Sequence, residues 1–199
     1  MRLLLSYSIA GWSGFFVMAV ELLGGRLLAP TFGSSIYVWG AIITVFMLAL
    51  SVGYLAGGRL SMNGPSVRKL GIILIVAALT VLPLLLFAEP MLDAVANAIP
   101  DPRFGSLVGA TALFFIPTVF SGMISPYAVR LIVPDRTSSG RHAGQLYFVS
   151  TFGSAAGTLL TSFYLVLLLE VNQILIALMA VSFCIGAVAC LVRGEANAQ

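Results

Sequence analysis

Apolar residues run along this chain in long blocks broken by charges, with no alternation of apolar and polar positions. Uncharged runs cover Leu3–Val20, Leu27–Gly58, Leu70–Ala88, Phe104–Val129, Ala143–Leu169 and Val171–Val192. About 20 apolar residues cross the hydrocarbon core as a helix, and a helix satisfies its own backbone where no water is present. The pattern therefore predicts an all-α membrane protein with six transmembrane helices, at about 4–25, 36–58, 70–89, 104–128, 143–169 and 171–192. Together they form one domain over residues 1–193, followed by a short tail at 194–199.

Composition agrees with this reading. Sixty per cent of the residues are hydrophobic and 9% are charged, against about a quarter charged in a soluble domain. The surface is expected to face a lipid bilayer. The first run begins after Arg2 like a signal peptide, but Trp12, Phe15 and Phe16 are bulky and no small-residue cleavage site follows. A retained helix is expected.

Basic residues divide unevenly between the two sides. A cytoplasmic N-terminus puts Arg2, Arg59, Arg68, Lys69, Arg130, Arg136, Arg141 and Arg193 on its own side and only Arg26 and Arg103 opposite. Such asymmetry is what the positive-inside rule describes. The expected location is a bacterial-type inner (plasma) membrane, with both termini in the cytoplasm. The net charge of +3 then reports topology, and no nucleic-acid partner is implied.

Connections and helix interiors carry further signals. Asn63-Gly64-Pro65 marks a tight turn between the second and third helices. Met91, Leu92, Val95 and Ile99 recur at helical spacing between Pro90 and Pro100, which predicts a short interfacial helix of its own. The stretch Pro134–Arg141 reads as a polar loop. In the fourth helix, Pro117, Ser121-Gly122 and Ser125-Pro126 each weaken the backbone ladder.

A faint internal repeat is present. Arg26-Leu-Leu-Ala-Pro30 follows the first helix and Arg130-Leu-Ile-Val-Pro134 follows the fourth. Each leads into a helix with an early tyrosine, Tyr37 or Tyr147. Three helices per copy is an odd number, so the copies run in opposite membrane directions, as in an inverted repeat. The second and fifth helices each hold a GxxxG, Gly53 with Gly57 and Gly153 with Gly157, a spacing that permits close backbone approach.

Candidate site residues are few. Glu21 is the one carboxylate inside a spanning run, near its outer end, and an embedded carboxylate needs a partner or a wet cavity. Arg26 is the nearest cation in sequence, and Gly24-Gly25 offers a place for the helix to end and let the two meet. Tyr147, Thr151, Ser154 and Thr158, with Thr161, repeat at three and four residues and share one face of the fifth helix. That face reads either as a packing seam or as the lining of a solute path. Cys184 and Cys190 point to different faces of the last helix and read as packing residues, and His142 reads as a solvated imidazole. No metal-ligand cluster, nucleophile–base pair or Gly-rich phosphate loop is visible, so no enzyme and no cofactor are expected.

Two stretches resemble a known family. Glu21-Leu-Leu-Gly-Gly-Arg-Leu-Leu-Ala-Pro-Thr-Phe-Gly33, continuing to Gly53-Tyr-Leu-Ala-Gly-Gly-Arg59, is similar to the membrane portion of the fused major-facilitator/spermidine-synthase proteins. So is Ser125-Pro-Tyr-Ala-Val-Arg130 with Gly144-Gln-Leu-Tyr147 and Ser150-Thr-Phe-Gly-Ser154. The resemblance implies half of a major-facilitator bundle, built as three plus three helices. It departs at Ser61, where the family commonly has an acid, and at Leu168 and Glu170, where it often has Pro and Gly. These 199 residues contain nothing like the family's soluble synthase-like domain, so its catalysis is not implied.

The resulting expectation is a small transporter-like protein for a small, cationic solute, working as a homo-oligomer because half a bundle cannot enclose a path. The alternative is a non-catalytic anchor or accessory subunit, bound to other membrane subunits or to a separately encoded soluble enzyme.

Overall fold

The computed structural model describes residues 1–133 and 139–192. Arg136, Arg193 and the tail at 194–199 lie outside the described residues. Six long apolar helical spans are present, and no strand occurs among the described residues. The first span is α1 (Arg2–Phe32), the second α2 (Ile36–Leu60), and the third is split into α3 (Val67–Leu79) and α4 (Leu82–Ala98). The fourth is α5 (Pro102–Ile132). The fifth joins α6 (Ser139–Leu160), a π-helical turn at Thr161–Leu165 and α7 (Val166–Leu168), and the sixth is α8 (Val171–Leu191).

Several helices are longer than the charge pattern implies. Gly24-Gly25 does not end α1, which continues through Pro30 to Phe32 and stops at Gly33, where φ is +81°. The glycines serve packing instead: Gly24 faces Phe114 and Ile42, and Gly25 faces the indole of Trp39. A helix of 31 residues rises about 46 Å at about 1.5 Å per residue, more than the roughly 30 Å hydrocarbon core. Its ends therefore extend beyond the core.

The separate interfacial helix expected after Pro90 is absent. The third span breaks earlier, at Thr80–Val81, where the Thr80 hydroxyl bonds to the Ala77 carbonyl at 2.7 Å. It then restarts with a proline in the first turn of α4 and runs through Pro90 to Ala98. Proline suits a first turn because its missing N–H has no helical acceptor there. Met91, Leu92 and Val95 thus form the end of a span and pack on the main core. In α5 the helix passes through both Pro117 and Pro126 without interruption. It begins at Asp101, whose carboxylate accepts the Arg103 N–H at 2.9 Å. A capping box between Glu170 and Gln173 starts α8.

The main helix pairings correspond when spans one and four, two and five, and three and six are exchanged, although span three packs on both central spans and span six chiefly on span one. Span two lies along span four, and span five lies along span one. Span three pairs with span six, and spans one and four meet at the centre. Both GxxxG pairs act at equivalent places: Gly53 and Gly57 face Gly122 and Met123, while Gly153 and Gly157 face Gly11 and Phe15. Lipid tails are as apolar as leucine, so association in the bilayer depends on such close contact. The main core includes Leu23, Ile42, Phe46, Leu92 and Phe114, and a second cluster around Tyr127, Leu70 and Ile9 fills the end near the N-terminus.

Candidate functional site

The site builds from one stripe of α1. Gly14, Met18, Glu21 and Gly25 follow one another at four, three and four residues, a spacing that aligns them on one helix face. Gly14 packs against the Ser150 carbonyl and the Ser154 hydroxyl of span five. Gly25 packs against the Trp39 ring of span two. Glu21, between them, is half-buried on the face that spans two and five flank.

Other polar groups lie along the same flanks. The Ser125 hydroxyl of span four is 3.5 Å from the Ser150 hydroxyl of span five. Tyr54 of span two and Tyr147 of span five are both exposed. Span five is the least covered of the six: 11% of its apolar window is buried, against 33–50% for the others.

The hydroxyl stripe of span five divides between seam and surface. Ser154 and Thr158 are half-buried and bond back to the carbonyls of Ser150 and Ser154, at 3.1 and 3.0 Å. Tyr147 and Thr151 point outward and are exposed. The glycines, displaced around the helix from this stripe, form the seam itself.

Glu21 and Arg26 are not brought together. On an uninterrupted helix five residues turn the chain by about 140°, and α1 is uninterrupted here. The Arg26 guanidinium instead donates to the Val166 carbonyl at 3.3 Å, just beyond the π turn. Arg26 also borders a cavity of about 480 Å³ shared with Glu89, Asp93, Glu170 and Asn172.

Sequence reasoning missed Trp39, Tyr54 and Ser150 as parts of this face. Tyr54 and Ser150 stand inside the motifs that carry the resemblance, but no local signal marks which helix they face. The chain matches no family model, no curated protein and no solved structure.

Proposed function

We propose that this polytopic membrane protein is a small transporter-like carrier for a small, cationic solute and that it works as an assembly of copies. One observation carries the reading: Glu21 is half-exposed on a face flanked by spans two and five, within a spanning helix. A carboxylate facing lipid costs about 2.5–3.5 kcal/mol on insertion scales. Covering that face with a second copy, or with water that the two copies enclose, removes the cost and creates a counter-charge for a cation. Hydroxyls from Ser125, Ser150 and Thr158 add neutral oxygen donors along the flanks.

The uneven distribution of Arg and Lys supports an inner-membrane location with both termini in the cytoplasm. The resemblance to the membrane portion of the fused major-facilitator/spermidine-synthase proteins supports polyamine-like cations as first substrates to test. A second reading, a non-catalytic accessory subunit, is favoured by the sparse burial of span five, which leaves a long flank for a different protein.

Reconstituted vesicles loaded with labelled spermidine, putrescine or Na⁺ test the reading. Flux is expected with the native chain and is expected to fall at least tenfold in Glu21→Gln, with assembly unchanged. Full flux in well-assembled Glu21→Gln removes Glu21 from the site. A persistent isolated 21.0 kDa species in native-like lipid particles overturns the assembly. A stoichiometric foreign subunit together with absent flux establishes the accessory role.

A further inference from the structure

Span five changes character at its outer end. Up to Leu160 it is α-helical and seated on span one through Gly153 and Gly157. Residues Thr161–Leu165 then form a π turn, and only three α-helical residues follow before the chain becomes extended at Leu169. A π turn holds one residue more than the α-helix it interrupts, and such turns concentrate at functional positions.

Two further features mark this turn. The Thr161 hydroxyl is fully buried and has no hydrogen-bond partner, although Ser154 and Thr158 on the same helix both bond back one turn. An unsatisfied buried hydroxyl is a cost that an ordinary helical turn would avoid. Beyond Thr161 no residue of the span is fully buried, and only Leu165 and Val166 pack partly on the core. Among the described residues, the one polar tie from this outer segment to another span is the Arg26 bond to the Val166 carbonyl.

We propose that the π turn is a hinge and that Arg26 latches the outer segment of span five closed against span one. The inference rests on the turn, the orphaned hydroxyl and the single tie, and it holds whatever the protein carries. Opening the latch lets the segment after Leu165 swing while the glycine seam below stays seated. Closing up the extra residue removes the hinge, because the helix then regains α register through Leu165.

Paired spin labels on the full chain in lipid nanodiscs test this. Leu167→Cys and Leu86→Cys, both exposed positions, report the outer segment against α4 in a Cys184→Ala, Cys190→Ala background. Phe148→Cys with Leu86→Cys reports the lower part of span five. The native outer pair is expected to give one narrow distance distribution. Arg26→Gln is expected to at least double its width or add a second population, while Arg26→Lys retains the narrow distribution. Deleting Ser162 in the Arg26→Gln chain is expected to narrow it again. An unchanged outer distribution in Arg26→Gln overturns the latch. Equal broadening of the Phe148 pair, or broadening that survives the deletion, overturns the hinge.

Discussion

Gly53 of the second span and Gly122 of the fourth meet backbone to backbone, and a Cβ on Gly53 would lie 2.9 Å from the Gly122 Cα. The contact has a counterpart in Gly153 against Gly11, where a Cβ would lie 3.1 Å from the Gly11 Cα. Neither seam has room for a side chain unless a whole helix moves. The second span also carries Gly58, where an added Cβ meets nothing within 4 Å.

Gly53 and Gly58 should therefore respond oppositely to substitution. Gly53→Leu is expected to destabilise by about 1–3 kcal/mol or more, the usual cost of overpacking a close contact. Gly58→Ala is expected to leave stability unchanged or raise it by up to about 1 kcal/mol, since alanine loses less freedom in a helix than glycine. Reversible unfolding in mixed micelles measures both. Equal tolerance at the two positions would show that span two does not lie on span four.

A side-chain bond ties the first span to the last. The Trp12 indole N–H donates to the Ser182 hydroxyl at 2.8 Å, and Ser182 in turn donates to the Leu178 carbonyl at 2.7 Å. Hydrogen bonds inside membrane proteins are worth about 0.6 kcal/mol on average and reach about 1.7. Ser182→Ala is expected to cost about that range and to shift Trp12 emission to shorter wavelength, read in a Trp39→Phe background. Unchanged emission would mean that this bond does not persist in the bilayer.

Charge supplies the expected orientation. Reporter fusions at Ser66 and Thr137 are expected to report the cytoplasm, and a fusion at Asn97 the opposite side. An even number of spans puts both termini on one side, and eight of the ten basic residues are expected there. The positive-inside rule assigns that side to the cytoplasm. A cytoplasmic signal from Asn97 would break the six-span arrangement.

Much of the architecture is legible in the amino-acid sequence. Each span needs about 20 residues without charge, and that requirement is met or failed locally, so the runs that stop at Arg59, Glu89 and Arg130 mark crossings. GxxxG pairs announce close approach for the same local reason, since a missing Cβ is visible in the chain. The faint repeat is readable as well, and the pairing of span two with span four has its counterpart in span five with span one.

Helix ends, breaks and partners are decided by tertiary contact. Gly24-Gly25 reads as a stop, but Phe114 and Trp39 fill the space beside it and α1 continues to Phe32. Met91, Leu92 and Val95 read as a helix of their own, yet α4 runs unbroken through Pro90 and packs Leu92 beside Gly109. The π turn has no local signature. It lies between the Gly157 contact with Phe15 below and the Arg26 bond above, and the spacing between two such anchors is a property of two helices together. For the same reason Glu21 is recognisable as an embedded charge, while its separation from Arg26 follows only from the continuity of α1. A sequence determines which residues cannot face water or cannot lose their backbone partners. Which neighbour each then meets depends on relative helix position, and that is settled by packing across the whole bundle.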